Sequence, residues 1–332
     1  MKTFARLHTL GLAALTVLTL GLTGCKDTPL VKPDTPENEN EHKDHEEAST
    51  AVLTLQAALI DNGTVTLLPP VKDAKYDLNV QTIVYETTPE GFKVKEGMPS
   101  SFVVRGGLRE GKTPVDPQTA GWTDGNFDIT KSYNGDMLYL LTIRTYALDG
   151  DDMTHEFATP EESKIHQIFF TPRKIRDTGF ATAGTTYPED YRFMGYYYMD
   201  TTPWDDPKGT FTGISNPIGL NGFIEFYKPN TAFDLNINLL HAQGFTKYLA
   251  DGKSTSPFYM PSEIQRSRGD WEDLNLIIPV SIFAGIEDGY IESADFGSMT
   301  ERETQLVDKL ASTLNITREE AFDSLKKAYK AQ

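Results

Sequence analysis

The histidines determine where this chain could bind a metal or haem, because it has six of them and a single cysteine. His155 and Glu156 lie in an acidic stretch that precedes the apolar run from Ile165 to Phe170. In a strand of two-residue period, His166 shares a face with the apolar side chains of that run. An imidazole beside aromatic residues suits a haem or metal site, whereas the commoner role of a core histidine is a hydrogen bond to a backbone carbonyl. We predict His155, Glu156 and His166 as ligands of a divalent transition metal or of haem.

A second group of candidate ligands lies nearer the N-terminus. Residues 41–47 contain His42, His45 and four carboxylates, a composition suited to loosely held divalent metal. The alternative is a solvated acidic segment with two incidental histidines. We predict His42 and His45 as an accessory metal site. His241 closes a later alternating strand on its apolar side, where a structural role is the commoner one.

The sequence contains none of the linear motifs that mark common enzymes. It has no Gly-rich phosphate loop, no Gly-x-Ser-x-Gly, no His-Glu-x-x-His and no paired-cysteine metal site. We therefore predict a protein that is not an enzyme, although a carboxylate pair assembled from distant strands would leave no linear trace. Trp122, Trp204 and Trp271 each lie near Asp, Gly or Pro. An exposed ring at one of these positions would stack on a sugar, while buried packing is the usual role of tryptophan.

The elements that must position these residues follow an export signal. A basic start precedes an apolar run over residues 10–22, which is shorter than the ~20 residues that a membrane-spanning helix needs. The run ends at Leu22-Thr23-Gly24-Cys25, which resembles the lipobox of bacterial lipoproteins. The resemblance implies that residues 1–24 are a signal peptide and that Cys25 receives acyl chains such as palmitate. Each acyl methylene contributes ~0.8 kcal/mol to anchoring, and stable anchoring needs more than one chain.

The same resemblance implies a location. Lys26 follows the cysteine where aspartate would stand for inner-membrane retention, and this favours the outer membrane. Residues 25–50 are acidic and contain proline but no aromatic residue, so they bury too little apolar surface to fold by themselves. We predict a disordered acidic tether there. Such tethers resemble those of surface-exposed lipoproteins of the Bacteroidota, which implies a protein on the cell exterior.

Charge and composition restrict both the partners and the fold class. The formal net charge is −17, and no cluster of Lys and Arg stands out. Nucleic acid is therefore excluded as a partner, because it is bound by clustered basic residues. The chain has 15 Tyr, 18 Phe, 26 Gly and 19 Pro, a composition typical of many short strands joined by turns.

Hydrophobic alternation predicts a mainly β protein with two antiparallel, sandwich-like domains and a C-terminal αα-hairpin. The first domain covers residues 51–172, and a proline between charged and polar neighbours at Thr171–Arg173 marks its end. The second covers residues 173–290, where Phe233 to Leu239 alternates with polar residues. Residues 291–332 contain two capping boxes, each followed by apolar residues at helical spacing.

These patterns lead to two predictions of function. The first is a lipid-anchored, non-catalytic surface protein that captures a transition metal or haem for an outer-membrane uptake system, with a TonB-dependent receptor as partner. The alternative is a carbohydrate-binding or adhesive, fimbrial-type surface module, which the aromatic-rich sandwich composition favours. No cofactor is required for either function.

Overall fold

The chain builds its core from two β-sheets. The computed structural model describes residues 48–61, 64–116, 122–123, 126–127, 133–178, 186–206, 208–285 and 290–330. The strands within these residues are β1 (Thr50–Asp61), β2 (Thr64–Leu67), β3 (Val80–Thr88), β4 (Gly91–Val94), β5 (Phe102–Arg105), β6 (Trp122–Thr123), β7 (Asn126–Phe127), β8 (Leu138–Tyr146), β9 (His166–Asp177), β10 (Met194–Tyr198), β11 (Thr201–Thr202), β12 (Thr210–Phe211), β13 (Asn221–Phe226), β14 (Thr231–His241) and β15 (Asn275–Ala284).

The two sheets differ in size and in one pairing. The larger sheet has the order β10-β13-β8-β1-β3-β4, with β2 also paired to β1, and it is antiparallel throughout. The smaller sheet has the order β5-β15-β14-β9, in which only β5 and β15 run parallel. The hairpins β6-β7 and β11-β12 stand apart from both sheets. Inward side chains of the two sheets form one continuous apolar cluster, so the prediction of a mainly β, sandwich-like protein is confirmed.

The alternation of the strands explains this arrangement. Leu53 and Leu55 of β1 and Leu235 and Ile237 of β14 are at most 1% exposed, whereas their neighbours in sequence are partly exposed. Each strand therefore has one apolar face, and two such sheets bury these faces against each other.

The prediction of two separate β domains is wrong. The larger sheet combines β1, β3 and β8 with β10 and β13, so both predicted segments contribute to it, and the smaller sheet mixes them as well. The segment that contains the described residues, His45–Gln332, is one compact unit. No domain boundary lies at the predicted position, because Pro172 is inside β9 and pairs with Leu235. On this edge strand the N–H groups of Ile168 and Phe170 point away from β14, and Pro172 has the same parity, so its missing donor costs no bond to β14.

The predicted boundary at residue 50 is also displaced. Ala48 is buried against Ala147 and Met153, and the backbone N–H of Ser49 donates to the carbonyl of Tyr146. The fold therefore includes residues 48–50, which had been predicted as the end of the tether. The signal peptide, Cys25, the rest of the tether, His42 and His45 lie outside the described residues.

The helices follow the capping signals in the sequence. The α-helices are α1 (Glu263–Arg268), α2 (Glu301–Leu314) and α3 (Arg318–Lys327), and the 3-10 turns are Thr154–Ala158, Glu162–Lys164, Gly213–Ser215 and Phe296–Ser298. The helices α2 and α3 form the predicted αα-hairpin, whose apolar side packs on β15. Within the described part of the chain, no helix is long and apolar enough to cross a membrane.

Glu303 joins the start of α2 to the chain that precedes it. Its carboxylate accepts hydrogen bonds from the backbone N–H of Glu292, from the N–H and hydroxyl of Ser293, and from the N–H and hydroxyl of Thr300, at 2.5–2.9 Å. Burial raises the pKa of Glu303, but the hydrogen bonds from Ser293 and Thr300 outweigh that effect and hold the pKa at about 2. The ionised carboxylate therefore stabilises this corner of the fold.

We expect Glu303→Gln to lower the free energy of unfolding at pH 7 by about 1–2 kcal/mol. The folded pKa of Glu303 is depressed, so its contribution is complete above the unfolded pKa of about 4.3 and is lost as the pH falls through about 2. Urea denaturation at pH 7, 4 and 2.5 should show a smaller loss of stability with acid in the variant than in the wild type.

Glu301→Gln is the matched control, because Glu301 lies exposed in the same first turn of α2. Equal effects of the two substitutions would show that the helix dipole, and not this set of hydrogen bonds, explains the acid dependence.

Candidate functional site

Two histidines face each other at one end of the smaller sheet. His166 is the first residue of β9 and His241 is the last residue of β14, and the antiparallel register places them directly opposite. Opposite residues of such a pair point to the same face of the sheet. The two ring centroids are 4.6 Å apart. The register therefore creates a pair of imidazoles on the core side of the sandwich.

A carboxylate completes the group. Glu162 begins the 3-10 turn Glu162–Lys164 that leads into β9, and its Oε2 lies 3.3 Å from Nδ1 of His166. One ring nitrogen of each histidine and one oxygen of Glu162 all lie within 4.8 Å of one another. His166 is 0% exposed, and Glu162 and His241 are each 7% exposed. Among the described residues, this is the group of His, Asp and Glu side chains that lie close enough together to hold a metal ion.

Hydrogen bonds define the tautomers of both rings. Nδ1 of His166 lies 3.0 Å from the carbonyl oxygen of Glu162, and Nδ1 of His241 lies 3.1 Å from Oδ2 of Asp273. A carbonyl and a carboxylate can only accept, so each Nδ1 carries the proton. In the neutral rings the lone pair is then on Nε2, the nitrogen that binds a metal when the other one is held by a carboxylate or a carbonyl.

The group is slightly wider than a metal site in its bound form. Atoms within 4.8 Å of one another share a point at most about 2.8 Å from each, whereas bonds to Zn²⁺ are about 2.0–2.2 Å long. Oε2 of Glu162 lies 3.3 Å from Nδ1 of His166, the nitrogen that carries the proton, so the carboxylate also has to turn toward the Nε2 edge of the ring before it can share an ion with both imidazoles. Rotation of the Glu162 side chain can supply such a movement. Two imidazoles and a carboxylate match the His2Glu ligand set of zinc sites and the two-histidine, one-carboxylate set of iron sites.

The surroundings of His166 favour an ion over haem. The buried ring of Phe157 meets the His166 ring edge-on at 5.1 Å, and His241 lies on another side. A porphyrin would have to displace these rings to reach the imidazole, whereas a single ion fits between the three ligand side chains.

Lys247 holds the backbone of the site at His166. Its amine is fully buried and donates to the carbonyl oxygens of His166 at 3.0 Å and Pro217 at 2.6 Å. Burial lowers the pKa of Lys247 to about 7, and attraction to Asp200 works against that shift. The Lys247 carbonyl accepts from the side chain of Gln265 in α1, so α1, the chain before β13 and the start of β9 are joined through one residue.

Asp200 supplies the opposite charge. Its carboxylate is fully buried and accepts four backbone N–H groups, from residues 218 to 221, at 2.7–3.2 Å. Burial raises the pKa of Asp200, and the N–H donors of Gly219, Asn221 and Ile218 partly offset that effect. Asp200 thus holds the chain whose Pro217 carbonyl binds Lys247.

The structure separates the three ligands predicted in this region. His166 lies in the site on the predicted apolar face, but His155 is exposed on the 3-10 turn Thr154–Ala158 and Glu156 is outside the ligand group. The prediction that His155 and Glu156 join His166 as ligands is therefore not what the geometry favours, because the chain turns between residues 158 and 166. Glu162 and His241 take their places. The parity of His241 was visible in the sequence, whereas only a four-residue spacing to His166 marked Glu162.

The tryptophans give little support to a sugar-binding surface. Trp204 and Trp271 are half-buried, Trp204 packs against the main core under the guanidinium of Arg144, and Trp271 packs against Phe169. The side chain of Trp122 lies outside the described residues. The carbohydrate-binding alternative stays a prediction.

Comparison of the chain with protein-family models, with curated proteins and with solved structures finds no match. The function must therefore be argued from the geometry of the site itself.

We expect Lys247→Met to lower the free energy of unfolding by about 2–4 kcal/mol, because it removes the donor from two buried carbonyls while preserving the length of the side chain. Urea denaturation of the metal-free protein measures the change. Lys253→Met is the control, since Lys253 is exposed a few residues away. A loss below about 0.5 kcal/mol in Lys247→Met would show that Lys247 does not support the site.

Proposed function

We propose that this protein is a lipid-anchored, non-catalytic surface protein that captures a divalent transition-metal ion through Glu162, His166 and His241. The observation that carries the proposal is the cross-strand pair of imidazoles with a carboxylate at the end of β9 and β14. Two imidazoles and one carboxylate, with ligand atoms all within 4.8 Å of one another, are the ligand types that bind a divalent transition-metal ion. Capture of an ion gives them a shared role.

The ligand types indicate the class of ion. Two nitrogen ligands and one oxygen ligand suit first-row ions such as Zn²⁺, Fe²⁺, Co²⁺ and Ni²⁺, whereas Ca²⁺ and Mg²⁺ prefer oxygen alone. Three protein ligands leave the fourth position of a tetrahedral ion for water or for an external ligand. An ion held in this way can be passed on, which suits delivery to an uptake system better than a permanent structural role.

The lipobox supports the location in this proposal. Acyl chains on Cys25 hold the protein at the outer membrane facing the exterior, and the acidic segment before residue 48 separates the folded part from the lipid. A captured ion would then be presented to an outer-membrane partner such as a TonB-dependent receptor. The charge of −17 attracts cations to the surface and raises their local concentration.

We expect one Zn²⁺ per chain to bind to the full mature protein in which His42→Ala and His45→Ala have removed the imidazoles of the N-terminal segment. At a free Zn²⁺ concentration of 100 times the dissociation constant, binding should raise the free energy of unfolding by about 2.7 kcal/mol, which corresponds to a rise in Tm of about 5 °C. In this background Glu162→Gln and His241→Ala should each weaken binding by more than about 100-fold, since they remove ligands rather than outer partners. Isothermal titration and thermal melting measure both effects.

His155→Ala provides the matched control, because His155 is exposed on the neighbouring turn. It should bind Zn²⁺ as the background protein does. Equal affinity in Glu162→Gln, His241→Ala and the background, or a background protein that binds no metal, would overturn the proposed site.

We expect Cys25→Ser to move the protein from the membrane fraction to the soluble fraction of the cell envelope, because no other membrane attachment is proposed. Fractionation followed by immunoblotting measures the distribution, with Ser49→Ala, which retains the lipobox, as the control. A variant that stays with the membrane would contradict the lipid anchor.

A further inference from the structure

Resting on the metal site proposed above, we infer that Asp273 is a positioning residue that holds His241 in its metal-binding tautomer and gives the site the charge of a divalent-cation receptor. Asp273 lies two residues before β15, next to the end of β14. It was not among the candidates in the sequence, where it looks like an ordinary acid at the start of a strand.

The contact is specific to one ring nitrogen. Oδ2 of Asp273 lies 3.1 Å from Nδ1 of His241, and the Asp273 side chain is 4% exposed. The backbone fixes the other end of the contact, because His241 and Asp270 exchange N–H to carbonyl hydrogen bonds of 2.9 Å. The ring of His241 is thus held in one orientation, with Nδ1 toward Asp273 and Nε2 on the opposite edge. A histidine without this contact would have to be ordered by the metal itself, at the cost of side-chain entropy.

The electrostatic consequence concerns the class of cation. Neutral imidazoles contribute no charge, whereas the carboxylates of Glu162 and Asp273 contribute one negative charge each when they are ionised. Two negative charges balance one divalent ion, and in a buried site this match is stronger than at the surface. Lys247, which donates to the backbone of His166, is itself balanced by Asp200. The arrangement therefore favours a divalent over a monovalent ion.

The contact between Asp273 and His241 also connects neighbouring strands of the smaller sheet through the site. Glu162 precedes β9, His241 ends β14 and Asp273 precedes β15. A bound ion would link the ends of three adjacent strands, two of them directly and the third through Asp273. Loss of Asp273 should thus weaken metal binding and also reduce the extra thermal stability that the ion confers.

The test uses the full mature chain with His42→Ala and His45→Ala, and Zn²⁺ and Co²⁺ as probes. Asp273→Ala should weaken Zn²⁺ binding by about 10–100-fold, the range found for outer partners of ligating histidines. Asp273→Asn should reduce the affinity for Zn²⁺ less, because the amide oxygen can still accept a hydrogen bond from Nδ1. It should still reduce it, since the amide NH2 can also turn toward Nδ1 and favour the wrong tautomer. The visible spectrum of bound Co²⁺ should change in both variants, which a purely structural role would not produce.

Asp270→Asn is the matched control, since it changes a carboxylate in the same loop whose hydrogen bonds are to the side chain of Gln243 and the backbone N–H of Glu272. Binding that is unchanged in Asp273→Ala and Asp273→Asn, or equally weakened in Asp270→Asn, would overturn the role of Asp273 and leave the metal site intact. If the background protein binds no Zn²⁺, the proposed function fails, and this inference with it. If Asp273→Ala does not fold, Asp273→Asn provides the test of this role, because it keeps the size of the side chain.

Discussion

The pairing of β9 with β14 is the constraint on which the site depends. Ten residue pairs join the two strands, with a single bulge between Ala232 and Asp234. Since side chains alternate with a period of two, a shift of the register by one residue would turn the imidazoles of His166 and His241 to opposite faces. The apolar partners along the two strands resist such a shift, because it would also expose them. The same burial that stabilises the sandwich therefore holds the two candidate ligands together.

Where β5 meets the larger sheet, two side chains make the backbone hydrogen bonds that a neighbouring strand would otherwise make. The strand β5 has β15 on one side only, and its other edge faces the larger sheet. The amide of Gln81 bonds both the N–H and the carbonyl of Val103, at 2.9 and 2.8 Å, and the hydroxyl of Tyr139 bonds the N–H and carbonyl of Arg105, at 2.8 and 3.2 Å. These contacts satisfy the backbone groups on the edge of β5 that has no neighbouring strand, and they connect the two sheets by hydrogen bonds, which a purely apolar interface would not do.

Part of the polar interior lies close to the candidate site. Lys247 and Asp200 are fully buried, and burial of such charges costs free energy that packing alone does not return. Both bond to the backbone of segments that carry or flank His166, so their cost is associated with order at the start of β9. In some proteins such interior charges are retained because they define one arrangement of the chain. The proposed metal centre provides a physical reason for retaining them here.

The sequence by itself determined the local elements, because alternation, capping boxes and turn residues act over a few residues. The strand from Phe233 to Leu239, the capping boxes at Thr300 and Thr317, and the inward parity of His166 were all predicted correctly. Only the tertiary structure decided which strands share a sheet and which residues meet. Pro172 looked like a boundary although it lies within an edge strand, and Glu162, His241 and Asp273 converge on one site from three separate segments. Local patterns do not encode pairing between distant strands, since that depends on burying all apolar faces at once.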